Sequence, residues 1–167
     1  MVTRDQAVRK SQYKQIIRGL DKVKTKRLAK ELLVVDKAHT NKLKKIVKKY
    51  GWPGKSLVGR KASHGAWLLA QHADHDLRFQ KKCLDLMKKS AKSDEVDKRD
   101  LAHLIDRVRV HEEKPQIYGT QFKTLKNGTV RSFPIYNRKD LDKRRKIMEL
   151  PSFSEEAKKI KALYQSK

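Results

Sequence analysis

From Leu28 to Tyr50, apolar side chains return at three- and four-residue steps: Leu28, Leu32, Val35, Leu43, Ile46, Val47 and Tyr50. An α-helix places such positions on one face, so the stretch predicts a long amphipathic helix whose apolar stripe must be covered. Asp21 is placed to cap its start and Gly51 to end it, and Pro53 blocks continuation. The same period predicts more helices. Thr3 and Gln6 form a capping box ahead of Val8, Ile16, Ile17 and Leu20, which gives a helix over about 3–20. Further helices are expected over 60–73, over 76–90 with Asp76 as cap, and over 97–111 through Leu101, Leu104, Ile105 and Val108. Between them, Gly51-Trp-Pro-Gly-Lys-Ser-Leu-Val-Gly59 reads as a turn-rich loop pinned by Trp52 and Leu57, and Lys88 to Lys98 as a charged linker.

The period changes at Ile117. Two strand-like runs flank Asn127-Gly128, a strong hairpin-turn dipeptide, so a two-stranded hairpin is expected over about 117–135. A lone hairpin is marginal in water and must pack on the helices. Helices over 140–150 and 154–165 come next, the last capped by Ser154. The expected fold is mainly α: a single-domain helical bundle, residues 1–167, with one small β-hairpin near the C-terminal third.

The charge is lopsided, with 43 Lys and Arg against 19 Asp and Glu and a net +24. That excess makes a polyanion partner such as RNA or DNA, or an acidic membrane surface, a natural expectation. A solvated lysine surface is the plain alternative. Cys83 is the one cysteine, at an apolar helix position, so no intrachain disulfide can form and a core role is expected. The N-terminus lacks the apolar run of a signal peptide, and no stretch approaches the roughly 20 apolar residues of a membrane span. A soluble, cytoplasmic protein is expected. The sequence does not fix its oligomeric state.

The chemistry-bearing residues gather in Trp67-Leu-Leu-Ala-Gln-His-Ala-Asp-His-Asp76. His72 and Asp76 are neighbours on a helix, as are Gln71 and His75, and His64, Leu68 and His72 share a stripe. A carboxylate beside an imidazole fixes its tautomer and raises its pKa, which suits acid–base work. On that reading His72 transfers the proton, Asp74 or Asp76 orients it, and Gln71 and Gln80 hold substrate. Plain helix capping with a satisfied core histidine is an equally open reading. A metal site is a third, but no cysteine pair or His-Glu-x-x-His pattern accompanies these residues, so no metal or cofactor is expected.

A second candidate is Gln116-Ile-Tyr-Gly-Thr-Gln121. In a strand, Gln116, Tyr118 and Thr120 share a face, and a bulge at Gly119 could turn Gln121 to join Tyr118. Asp5, Gln6 and Arg9 make a third candidate, with Asp5 and Arg9 as an i,i+4 pair. No phosphate-binding glycine loop is present, since Gly54-Lys55-Ser56 lacks the required spacing. Aromatic residues, at 7%, look too sparse for a base-stacking platform.

Taken together, these segments resemble a bacterial family known only as a domain of unknown function. The likeness is carried by Asp5-Gln-Ala-Val-Arg9, Gly51-Trp-Pro53 with Leu57-Val-Gly59, and Gln71-His-Ala-Asp74 with Phe79-Gln80 and Cys83-Leu84. It continues through Leu101-Ala102, Asp106-Arg-Val108, Gln116, Tyr118-Gly-Thr-Gln121, Pro134-Ile135 and Arg144-Arg145. Glu149 stands where the family pattern has glycine. The resemblance implies no reaction and favours His72, Asp74, Gln71, Gln80, Tyr118 and Gln121. With the residue reading beside it, the catalytic candidates are His72, Asp74, Asp76, Tyr118 and Gln121, and the substrate-binding ones Gln71, Gln80, Gln116, Arg9 and Arg107. The functional expectation is a metal-independent acid–base enzyme, hydrolase in type, acting on RNA or DNA. The alternative is a non-catalytic polyanion-binding or protein-interaction module.

Overall fold

The computed structural model describes residues 22–125 and 127–165. The expected helix over 3–20, its capping box, Asp21 as a cap, and the Asp5, Gln6 and Arg9 candidates lie outside the described residues. Within them, seven α-helices and one antiparallel hairpin run in order. They are α1 (Lys22–Tyr50), α2 (Lys55–Val58), α3 (Arg60–Gln71), α4 (Leu77–Ser90), α5 (Lys98–His111), β1 (Phe122–Thr124), β2 (Val130–Ser132), α6 (Leu141–Ile147) and α7 (Phe153–Gln165).

Helix α1 is about 44 Å long at 1.5 Å per residue, and among its described side chains Thr40, Leu43 and Val47 are buried. Leu33 and Val34 are exposed. Gly51 ends the helix with φ 73° and donates to Val47 O at 3.1 Å, the left-handed stop that glycine permits. The core lies where α3 meets α1, α4 and α5. It gathers Leu43, Trp67, Leu69, Ala70, Phe79, Leu84, Met87, Leu104 and Val108. Each large aliphatic side chain so buried is worth roughly 1.5–3 kcal/mol. Gly65 and Ala66 are buried on α3, as small residues at a close helix contact should be. Cys83 is fully buried, and burial pushes its thiol up to about 12, so it is a packing residue rather than a nucleophile.

Four local expectations are corrected. The loop after Gly51 contains the short helix α2, and Leu57 on it is exposed, while Trp52 pins the segment to the core. The charged linker is largely ordered structure: α4 runs to Ser90, a 3-10 turn comes next over Ala91–Ser93, and Val96 is buried. The hairpin ladder is only three residues a side, Phe122↔Ser132 to Thr124↔Val130, because residues 117–121 are drawn onto α5 instead. Ser152, not Ser154, caps α7. Its hydroxyl accepts from Glu155 N at 3.3 Å while Glu155 Oε2 accepts from Ser152 N at 2.9 Å, a reciprocal capping box. Asp76 caps α4 as expected, accepting from Phe79 N at 3.0 Å. No described helix is long and apolar enough to cross a membrane.

Candidate functional site

Most of the residues singled out in the sequence meet at one place, where the α3–α4 junction faces α5 and the segment after it. Asp74, at that junction, takes a two-pronged ion pair from Arg107 on α5, with Nε to Oδ1 at 3.0 Å and Nη2 on Oδ2. Gln80 is fully buried, and its Nε2 lies 3.2 Å from Asp74 Oδ1, 3.1 Å from Ala70 O and 3.3 Å from Gln71 O. Its Oε1 is 3.2 Å from His111 Nδ1, and His111 Nε2 is 3.6 Å from Asp74 Oδ1. Arg107 Nη1 reaches Gln121 Oε1 at 3.2 Å. Partial burial pushes the Asp74 carboxyl up, but the Arg107 hydrogen bonds and charge, with Gln80 and His111, hold it below the usual carboxylate range. A carboxylate so engaged is a weak proton acceptor.

The segment 116–121 owes its shape to Asp106. This fully buried carboxylate accepts from Ile117 N at 2.7 Å, Tyr118 N at 3.1 Å, and Thr120 N and Oγ1 at 3.0 Å each. Gln116 completes the fold-back. Its Oε1 accepts from Gln121 N at 2.7 Å, and its Nε2 donates to Gln121 O and Phe133 O at 3.0 Å. Gly119 takes φ 69°, and a Cβ there would stand 3.0 Å from Ile135 and from the Phe153 ring. The expected turning of Gln121 therefore comes from a left-handed glycine and a buried acid, not from a strand bulge. Two arginines hold the outside. Arg144 donates to Ile117 O at 2.9 Å and Tyr136 O at 2.6 Å, and the fully buried Arg145 donates to Tyr118 O at 2.6 Å and pairs with Glu156.

The structure thus brings Gln71, Asp74, Gln80, Arg107, Gln116 and Gln121 together. His72 closes α3 as its C-cap, half-buried, with its N–H on Leu68 O at 3.2 Å. Asp76 is directed to α4 and α1, capping the former and pairing with Lys44 at 2.6 Å. Those hydrogen bonds, Lys44 first, hold its carboxyl low. The Tyr118 phenol is pushed up by burial and then by the Asp106 charge, which disfavours it as a base. Gln71 is buried, and its Oε1 has no hydrogen-bond partner among the described residues. Sequence reasoning missed His111. A histidine in the last turn of a helix is easily read as a dipole partner, and only the Gln80 and Asp74 contacts distinguish it. Among the described residues, no three His, Cys, Asp or Glu side chains converge as a metal ion would require.

A family model, described as a family of unknown function (DUF6624), matches residues 1–167. The chain belongs to that family. No curated protein and no solved structure matches it.

A different surface, between the hairpin and α7, carries a groove of about 540 Å³. Phe122, Phe133 and Phe153 line it, three of the four phenylalanines in the chain, together with Lys123, Arg131, Arg138 and Lys161. No acidic side chain is among the described lining residues. Phe122 and Phe153 stack at 6.0 Å with an interplanar angle of 9°. Lys123 Nζ sits 5.2 Å over the Phe133 ring, and the Arg138 guanidinium 5.3 Å over Phe153. Lys123 and Arg131 are direct partners across the ladder. Like charges placed so cost a few tenths of a kcal/mol, roughly 0.2–1. An anion lying across them removes that repulsion.

Proposed function

We propose that this member of the family binds single-stranded nucleic acid in the groove between its hairpin and α7. The observation that supports this is the groove's lining: phenylalanine rings interleaved with four cations and, among the described residues, no acid. Flat aromatic faces accept any base, and lysine and arginine neutralise the backbone, which is how sequence-tolerant single-strand sites are built. Three of the four phenylalanines sit in this one place, although aromatic residues are sparse in the chain as a whole. Helix α1 adds a second basic surface. Lys30, Lys37, Lys44 and Lys48 fall on one stripe, and the helix carries eleven Lys and Arg against Glu31 and Asp36.

On this reading the Asp74–Arg107–Gln80–His111–Gln121 cluster is a structural clasp that seats the segment leading into the hairpin. The test is fluorescence anisotropy of a labelled single-stranded RNA of about 12 nucleotides, within the span such grooves cover. Phe133→Ala should weaken binding about five- to a hundredfold, the loss of one stacked base. A duplex of equal length should bind more weakly. Equal binding by Phe133→Ala and wild type, or by duplex and single strand, would contradict the reading.

A second reading, acid–base hydrolysis of RNA or DNA at the family cluster, draws on the buried, unpartnered Gln71 Oε1 beside the half-exposed Asp74, Arg107 and His111. His72 is its proton-transfer group. A gel cleavage assay decides it. Cleavage by wild type that is lost in folded His72→Ala and Gln121→Ala supports catalysis, and unchanged or absent cleavage removes it.

A further inference from the structure

A separate cleft of about 400 Å³ opens where α2 and the start of α3 face the start of α5. None of its residues lines the groove, so a ligand bound here is independent of the nucleic-acid reading. On one wall His64 Nδ1 lies 2.8 Å from Oδ2 of Asp100. The Asp100 side chain is only 9% exposed and that of His64 is 54% exposed, so the pair has a buried acid end and an open imidazole end. The Trp67 ring, 4.8 Å from the imidazole, supports it from below. A carboxylate on Nδ1 keeps a proton there and leaves Nε2 as the working nitrogen of a ring held in one orientation.

The other groups of the cleft are sorted by what they already hold. Asp97 accepts from Arg99 N at 2.9 Å and caps α5. Lys55 pairs with Asp94 at 3.0 Å. Arg60 and Lys61 are exposed and make no ion pair among the described residues. They also begin α3, whose N-cap Gly59 supplies no side-chain bond and whose first turn has no acid. Ser63 N makes the first intrahelical bond, to Gly59 O, so the preceding N–H groups have no intrahelical partner. The acids of the cleft are therefore engaged, and its open donors are a guanidinium, an ammonium, an imidazole nitrogen and a helix N-terminus. Together they suit an anion with several oxygens in a tetrahedral array.

We propose that this cleft binds the phosphate group of a small phosphomonoester, with His64 Nε2, Arg60, Lys61 and the α3 N-terminus as donors and Asp100 as the positioning residue behind His64. Phosphate fits better than carboxylate because it presents three oxygens, enough to meet donors on several sides at once. Nε2 donates only when it carries a proton as well as Nδ1. Asp97 and Arg99 on α5 act on Asp100, and Lys55, Arg60 and Lys61 line the same cleft.

The experiment uses the full chain with nitrogen-15 in its histidines, inorganic phosphate as the probe, and chloride at equal ionic strength as the control. Phosphate should move the His64 ring signals saturably. Lys61→Ala should weaken that binding about two- to fivefold. His64→Gln, read by phosphorus-31 line broadening, should weaken it about tenfold or more. Phosphate shifts no larger than those of chloride overturn the proposal, as do Lys61→Ala and His64→Gln proteins that bind phosphate like wild type.

Discussion

Asp106→Ala is the substitution that best tests how the family cluster is held. The carboxylate is wholly buried and serves three backbone N–H groups and the Thr120 hydroxyl. A hydrogen bond to a charged group is worth roughly 1.5–3 kcal/mol, and a buried donor left without a partner costs about 1–3. Alanine removes every acceptor at once. Even if water enters the hole and satisfies one donor, about 4–6 kcal/mol of stability should be lost. That is a large part of the roughly 5–15 kcal/mol that holds a domain together. Asp106→Asn is the milder companion. One oxygen remains for Ile117 and Tyr118, while its amide meets the Thr120 N–H donor, so about 1–3 kcal/mol should be lost. Urea unfolding followed by circular dichroism measures both. A loss under about 1 kcal/mol for Asp106→Ala would refute the view that this acid shapes the 116–121 segment.

Single features of the structure set three further expectations. Glu149 has φ 56°, the left-handed region that costs a side chain about 1 kcal/mol, and its 3.1 Å pair with Lys98 is exposed on both sides. Glu149→Gly should therefore raise stability by about 0.5–1 kcal/mol in the same urea assay. Gly119→Ala meets both a positive φ and the Ile135 and Phe153 side chains at 3.0 Å. It should destabilise by about 2–3 kcal/mol and lower the melting temperature. Burial raises the Asp100 carboxyl to about 6 against His64, which pulls it down. Its folded value lies above its unfolded one, so this contribution is complete below about pH 4 and lost as pH rises through 6. The drop is about 3 kcal/mol at most. Stability measured from pH 4 to 7 should show that decline, and Asp100→Asn should flatten it.

Much of this was legible from residues because periodicity is a local property. The apolar steps in α1, α4 and α5 marked these helices, and Gly51 and Asp76 marked ends that the structure keeps. The hairpin turn was visible in Asn127-Gly128, but the ladder's length was not. Residues 117–121 look like strand, and only the buried Asp106, eleven residues before Ile117, draws them away from pairing. The cluster's membership was readable and its pairings were not. His72 and Asp76 are helical neighbours by spacing, yet α3 ends at Gln71, and Asp76 is drawn to Lys44 on another helix. The groove was out of reach for the same reason. Phe122, Phe133 and Phe153 lie apart in sequence and meet only because α7 packs on β2.

The most direct test of the central claim is how steeply single-strand binding falls with salt. Each phosphate contact on a single strand contributes a slope of about 0.7 in log affinity against log salt. Replacing Lys123, Arg131 and Lys161 with alanine should reduce that slope by about 2 if the strand lies in the groove. A triple variant with wild-type affinity and slope would mean that any bound strand lies elsewhere, and the groove would not be the nucleic-acid site.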